Sequence, residues 1–193
     1  DIQARFRVDG REAELWHPDT GEIEPADYSI ANGLTTVPLH LDERESVFVV
    51  FRKTASAPSR TLPTVTSTVL TALESPWTVK FQANLGAPDQ IQMPKLDSLT
   101  NSSEEGVKYF SGSATYSQNV DVQQSWLSSG KRLVVDMGTV GDIGQVVVNG
   151  KSGGIVWKPP YRIDITNAVH SGSNTIEIKV TDEWTNRIAG DNS

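Results

Sequence analysis

The feature that most constrains the fold of this sequence is the period of its hydrophobic pattern, which is two. Residues 175–180 (TIEIKV) alternate polar with apolar side chains, so the apolar ones face one side of an extended strand. Residues 132–137 and 145–148 are rich in β-branched side chains, and the run at 46–51 (SVFVVF) is typical of a strand covered on both faces. Since no segment combines a sustained helical period with capping residues, the pattern predicts an all-β chain.

Turn signals separate these short segments. Asn149-Gly150 follows a valine run, and both positions of a two-residue hairpin turn need a positive φ, which Asn and Gly adopt readily. Such signals at intervals of about 8–12 residues are typical of a β-sandwich or a barrel. The nearest helical candidate, residues 164–169, predicts only a short turn.

A composition shift divides the chain. Residues 54–63 (TASAPSRTLP) are small, polar and proline-bearing, as linkers are. The segment 1–53 holds three or four predicted strands, too few to close a sandwich alone, whereas residues 64–193 are long enough for a jelly-roll. We therefore predict a small β-rich subdomain, a linker and a β-sandwich jelly-roll domain. The small subdomain should pack on the larger one, because it cannot bury its apolar strand by itself.

Composition excludes several function classes. The absence of cysteine rules out disulfides, thiolate nucleophiles and cysteine-based zinc sites. The net charge of −7, with no cluster of lysine or arginine, argues against nucleic-acid partners and anionic membrane surfaces. No apolar run approaches the roughly 20 residues of a membrane-spanning helix. The chain begins at Asp1 without a methionine, so we expect a piece of a longer protein or a processed form.

Motifs in the last third resemble a known sugar-binding domain. In order, they are residues 148–150 (VNG), Trp157, 159–162 (PPYR), 164–166 (DIT) and 172–174 (GSN). This order resembles the galactose-binding-like jelly-roll domain of family 2 glycoside hydrolases.

Further segments narrow the resemblance. Residues 184–191 (WTNRIAGD) and 106–112 (GVKYFSG) are similar to the C-terminal region of family 106 glycoside hydrolases, the α-L-rhamnosidases. Residues 14–16 (ELW), 19–21 (DTG) and 46–52 (SVFVVFR) resemble the β-rich segment that follows the catalytic domain in that family. The resemblance implies that catalysis belongs to an upstream domain, so no residue here receives a catalytic role.

The distribution of acidic residues agrees with a non-catalytic role. A glycosidase needs two carboxyl groups about 5–9.5 Å apart. The acids that could serve are scattered near predicted strand ends, as solvated surface acids are: Glu104, Glu105, Asp182, Glu183 and Asp191.

Three aromatic residues are the first candidates for sugar contact. Trp157 and Tyr161 flank a proline pair, and a stiff loop of this kind can present aromatic rings to the apolar C–H faces of a sugar with little entropy loss. The alternative is that both cap the core of the sandwich. Trp126 lies in a polar stretch and is a candidate exposed aromatic, whereas Trp16 and Trp77 are interpreted as structural.

A second candidate group lies near the end of the chain. Trp184 could stack on a sugar while Asn186 and Arg187 hydrogen-bond its hydroxyls. Alternatively, Arg187 pairs with Asp191 or Asp164 and fixes the chain end.

No organic cofactor is predicted. His17, His40 and His170 lack metal-ligand spacing. Jelly-roll modules often hold a structural calcium, and acidic residues such as Asp121, Asp136 and Asp142 leave that open, although no EF-hand spacing supports it.

The leading hypothesis is a non-catalytic carbohydrate-binding module or ancillary domain of a rhamnosidase-like glycoside hydrolase. Its expected partners are a plant-type polysaccharide or oligosaccharide and an upstream catalytic domain of the same chain. Its expected location is extracytoplasmic (secreted or periplasmic) in a bacterium. The alternatives are a purely structural sandwich that buttresses the catalytic domain, or a small glycosidase.

Overall fold

The computed structural model of the chain describes residues 1–74 and 76–191 and confirms the all-β prediction. Strands form antiparallel sheets, and the helices are short. The chain divides into two compact units, unit 1 (Asp1–Leu70) and unit 2 (Thr71–Ser193).

Unit 1 is built from two small sheets. A four-stranded sheet has the order β1-β5-β4-β7 and a three-stranded sheet the order β3-β2-β6. Buried Ala13, Ala26, Tyr28, Val37 and Leu39 form the core of the unit. The strands are β1 (Ile2–Phe6), β2 (Glu14–Trp16), β3 (Ile23–Pro25), β4 (Tyr28–Ala31), β5 (Leu34–Leu39), β6 (Phe48–Val50) and β7 (Ser59–Arg60).

The segment predicted as a linker, residues 54–63, is integrated into unit 1. It carries β7, which pairs with β4. The guanidinium of Arg60 donates to the backbone oxygens of Ala13 and Ala26 at 2.7 and 3.0 Å and to the Glu12 carboxylate at 3.0 Å. The division between the units lies after Leu70, later than composition suggested, because local composition does not reveal these distant acceptors.

Unit 2 is a β-sandwich dominated by a six-stranded sheet of order β13-β12-β15-β10-β8-β9, with a second sheet of β11 and β14. A 3-10 turn lies at Leu99–Asn101 and another at Gln124–Leu127. The remaining elements are β8 (Trp77–Phe81), β9 (Gln90–Met93), α1 (Glu105–Lys108), β10 (Ser113–Val122), β11 (Val134–Asp136), β12 (Ile143–Val148), β13 (Lys151–Val156), β14 (Arg162–Asp164), β15 (Gly172–Thr181) and α2 (Thr185–Asp191).

The alternation of polar and apolar residues in the sequence places the apolar side chains on the inner face of this sheet. β10 and β15 pair over ten residues each, from Ser113 opposite Thr181 to Val122 opposite Gly172. On β15, Ile176 is buried and Ile178 and Val180 are half-buried on the same face. The predicted hairpin turn at Asn149-Gly150 joins β12 to β13, with φ of 52° and 77°.

The core of unit 2 has two separate clusters on this face. The first centres on Val146, Val148 and Ile176, and the second on Phe81 and Phe110, whose rings meet edge to face with centroids 4.9 Å apart.

Candidate functional site

A cavity of about 740 Å³ lies against the six-stranded sheet of unit 2. Ile178 packs against the first core cluster and Tyr116 against the second, and both side chains line the cavity. Trp77 of β8 and Val180 of β15 complete the wall that the sheet provides. The inner face of the six-stranded sheet therefore forms the floor of the cavity.

Three chain segments form its rim. Residues 96–100 precede and include a 3-10 turn, residues 137 and 139–142 connect β11 to β12, and polar residues at 182–186 lead from β15 into α2. Apolar side chains of the rim, such as Leu96, Leu99 and Val140, alternate with acids and hydroxyls. A largely apolar lining with a few polar groups is the composition of many ligand sites.

The charged residues that line the rim are all acidic. Asp97, Asp142, Asp182 and Glu183 line the cavity, and no lysine, arginine or histidine occurs among its lining residues in the described chain. Asp182 Oδ1 accepts a hydrogen bond from the Gly112 amide at 2.7 Å, and Asp142 Oδ2 accepts one from the Glu183 amide at 2.9 Å.

The electrostatics of the cavity follow from this arrangement. Burial raises the pKa of the Asp182 carboxyl, and the charge of Asp142 adds to the rise. Burial, with a smaller contribution from Asp182, raises the pKa of the Tyr116 phenol to about 12. Both shifts thus have the same two causes, burial and a neighbouring carboxylate.

Trp77 contributes an unused donor. It is 1% exposed, which confirms its predicted structural role, and its indole N–H has no hydrogen-bond partner among the described residues. A buried polar group without a partner costs about 1–3 kcal/mol, so this N–H lowers the stability of unit 2.

The structure places two predicted sugar-contact residues at this cavity or beside it. Asn186 lines the cavity and donates from Nδ2 to the Phe110 oxygen at 3.5 Å. Trp184 is 67% exposed, between Glu183 and Thr185, which both line the cavity.

Arg187 has the structural contacts of the alternative interpretation. Its guanidinium pairs with Asp191 at 3.0 Å, and its backbone N–H donates to Ser111 Oγ at 3.0 Å. Asp164, the other predicted partner, accepts from the Thr166 amide instead. Arg187 lines a separate, smaller pocket with Tyr109 and Gly86 rather than the main cavity.

The remaining predicted residues lie elsewhere. Trp157 does not cap the core: it is 54% exposed, and Lys158 Nζ lies 5.8 Å from its ring centroid. Half-buried Tyr161 accepts from the Met137 amide at 2.9 Å through its backbone oxygen, and Met137 lines the cavity. The expectation that Trp126 is exposed is not met, because this residue is partly buried and packs against the first core cluster.

Sequence reasoning missed the convergence of Asp97 and Asp142 with Asp182 and Glu183. These residues are distant along the chain, and no local motif joins them. The position of Tyr116 could have been found, since the alternation of β10 places it on the same face as buried Ala114.

The acids proposed for calcium do not assemble. Among residues 1–74 and 76–191, no group of three or more His, Cys, Asp or Glu side chains is placed to hold a metal ion. Asp136 instead pairs with Arg162 directly across the β11–β14 ladder at 2.8 Å. The Gly138 amide and this arginine hold the pKa of the Asp136 carboxyl below its ordinary value.

Among the described residues, no helix has both the length and the apolar character that crossing a membrane requires.

Comparisons relate the chain to glycoside hydrolases. No family model matches it. Over 100% of its length it is similar to the rhamnosidase from Novosphingobium sp. PP1Y, with 49% identity and a TM-score of 0.95, and it covers 18% of that chain. It is also 40% identical over 119 residues to a protein of Formosa agariphila named "Putative beta-glucuronidase". The matched segment covers 62% of this chain and 10% of that protein.

A more distant similarity covers part of the chain. The Lactobacillus rhamnosus beta-glucuronidase has 27% identity and a TM-score of 0.50 over 57% of this chain, which covers 21% of that enzyme. The chain thus spans about a fifth or less of each of these relatives, and it is related to a segment of them.

Proposed function

We propose that the chain is a non-catalytic, carbohydrate-binding ancillary region of a rhamnosidase-like glycoside hydrolase, and that unit 2 binds saccharide at the cavity beside Trp184. The proposed partners are a polysaccharide or oligosaccharide and a catalytic domain of a longer chain. Recognition of a polymer would raise the local concentration of the catalytic domain on its substrate. The proposed location is extracytoplasmic in a bacterium.

The observation that carries the proposal is the position of exposed Trp184 beside a cavity lined by both apolar side chains and carboxylates. The Trp184 ring can stack on the C–H face of a sugar, and the Asn186 amide and the Asp182 and Glu183 carboxylates can hydrogen-bond its hydroxyls. All four residues lie between the end of β15 and the first turn of α2, so one short segment supplies all the proposed contacts.

The similarity to only about a fifth or less of each relative supports a non-catalytic role. The small-glycosidase alternative gains no support from it.

Affinity electrophoresis on a panel of soluble polysaccharides tests the proposal. We expect at least one polymer to retard the chain, and Trp184→Ala to abolish the retardation without lowering the melting temperature. Trp157→Ala is the matched control, since it removes another tryptophan that is more than half exposed. Loss of binding in Trp157→Ala alone would move the site to the β13–β14 loop, and the absence of retardation on every polymer would refute saccharide binding.

One observation favours the second candidate, a purely structural sandwich. The Arg187 backbone N–H donates to Ser111 Oγ and Asn186 donates to the Phe110 oxygen, which ties α2 to the segment before β10. The Arg187–Asp191 pair lies within α2. These residues would then serve the fold alone. In that case Asn186→Ala lowers the melting temperature and no polymer binds.

A further inference from the structure

We infer that the cavity selects uncharged saccharides and rejects those that carry a carboxylate, sulfate or phosphate group. This inference rests on the proposed saccharide binding at the same site and specifies its ligand class.

The lining residues supply charge of one sign only. Asp97, Asp142, Asp182 and Glu183 contribute carboxylates, and none of the described lining residues is a lysine, arginine or histidine. The cations adjacent in sequence to lining residues, Lys95, Lys179 and Arg187, are not part of the lining. The Arg187 guanidinium is held by Asp191 at 3.0 Å. An anionic ligand would therefore enter a field of like charge.

The carboxylates are held by groups that do not neutralise them. Asp182 accepts from the Gly112 amide at 2.7 Å and Asp142 from the Glu183 amide at 2.9 Å. Asp97 accepts from the Ser98 amide at 2.7 Å and from the Asn101 side chain at 2.9 Å. Amide donors are uncharged, so they fix the orientation of these groups without cancelling the negative charge of the lining.

The same lining suits a neutral sugar. Hydroxyl groups donate hydrogen bonds to carboxylate oxygens, and such charge-assisted bonds are stronger than neutral ones. Leu99, Ile178 and Val180 offer apolar surface for the C–H groups of a ring. Trp77 adds an aromatic side chain to the same wall.

The expected selectivity is large enough to measure. Like charges within about 6 Å repel appreciably at the effective dielectric constant of a protein surface. We expect a uronate to bind at least about tenfold more weakly than its neutral counterpart at low salt, and the ratio to shrink at high salt through screening.

The test uses NMR titration of the tryptophan indole signals with methyl α-L-rhamnopyranoside, methyl β-D-glucopyranoside and methyl β-D-glucuronide. The last two differ only at C6, where a hydroxymethyl group replaces a carboxylate. Tighter binding of either neutral glycoside supports the inference. A glucuronide that binds as tightly as the neutral glycosides overturns the inference but leaves the proposed function standing. Absence of binding by all three, together with absence of polymer retardation, overturns both.

A charge variant identifies the source of the selectivity. The double variant Asp182→Asn, Glu183→Gln should raise the affinity for the glucuronide relative to the neutral glycosides at least about threefold. The matched control is Glu104→Gln, Glu105→Gln, an adjacent acidic pair outside the cavity that changes the net charge equally. Equal effects of the two double variants would show that overall charge, not the cavity, excludes anions, and would overturn the inference.

Discussion

Two carboxylates, one in each unit, are held in opposite ways. Glu14 of unit 1 is 5% exposed and pairs with Lys53 and Arg52 at 2.7 Å each, while the Trp16 indole donates to it at 3.3 Å. Hydrogen bonds from Lys53 and Arg52 lower the pKa of Glu14 from 4.5 to about 2. Asp182 of unit 2 has an amide donor and an acidic neighbour, and its pKa is raised by burial.

The difference separates a structural charge from one available to a ligand. The Glu14 carboxylate and its cations satisfy one another, and Arg52 also stacks 5.2 Å from the Trp16 ring centroid. Unit 1 thereby uses these charges to join β2 to the chain after β6. Asp182 is partly desolvated and pairs with no cation among the described residues, which costs stability. Such groups are more common at functional sites than in purely structural ones.

The largest expected effect tests whether unit 2 tolerates unsatisfied polar groups throughout or only at the cavity. Asn174 is 1% exposed and fully satisfied: its oxygen accepts from Asn149 and from the His170 amide, and its nitrogen donates to the His170 and Gly172 oxygens. We expect Asn174→Ala to destabilise the protein by about 3 kcal/mol in urea denaturation, since several buried groups lose partners.

The control for that variant is Asn119→Ala, because exposed Asn119 makes a single hydrogen bond to Thr175. A loss of about 0.5 kcal/mol or less is typical of such a surface position. Equal losses in the two variants would mean that unit 2 is loosely satisfied everywhere, and the contrast between the units would then not be specific to the cavity.

The next effect concerns the charge network of unit 1. Glu14→Gln removes the charge that holds Lys53 and Arg52, so we expect the melting temperature to fall by several degrees in circular dichroism. Glu43→Gln is the control, since Glu43 forms an exposed pair with Arg44 at 3.5 Å and such pairs contribute little. A Glu14→Gln variant as stable as Glu43→Gln would show that the network is dispensable.

Sequence patterns predicted local elements better than distant convergence. Alternation identified β15, and the Asn149-Gly150 pair identified the β12–β13 turn, because both depend on neighbouring residues. Arg52, a basic partner of Glu14, lies 38 residues away in sequence. The cavity likewise collects side chains from β8, β10, β15 and three loops. Such sites depend on strand order, which single-sequence periodicity does not specify.

Lowering the pH should change the folding stability by a smaller amount, and in opposite directions for Glu14 and Asp182. The folded-state pKa of Glu14 is depressed, so its stabilisation is present above about pH 4.5 and is lost as the pH falls toward about 2. The folded-state pKa of Asp182 is raised above 3.8, so its ionisation destabilises unit 2 and the loss is recovered as the pH falls through that raised value.

Hydrogen exchange in each unit at a series of pH values measures these contributions. Asp136 also lies in unit 2, and because its pKa is lowered, its effect on stability changes with pH in the opposite direction to that of Asp182. The contribution of Asp182 is therefore taken as the difference in stability between the parent chain and Asp182→Asn. We expect Asp182→Asn to be slightly more stable than the parent at pH 7 and to lose that advantage in acid. An Asp182→Asn variant less stable than the parent at pH 7 would contradict the desolvated, unpaired state of this carboxylate.

The smallest expected effect on stability is that of Trp184→Ala. With 67% of its surface exposed, the side chain loses little buried area on truncation, and we expect a change within about 0.5 kcal/mol in urea denaturation. Trp126→Ala, which removes a tryptophan packed against the first core cluster, should cost clearly more because it leaves a void. If Trp184→Ala proved as destabilising as Trp126→Ala, the Trp184 ring would contribute to the stability of the fold. It would then be a structural group like those of unit 1, rather than one available to a ligand at the cavity rim.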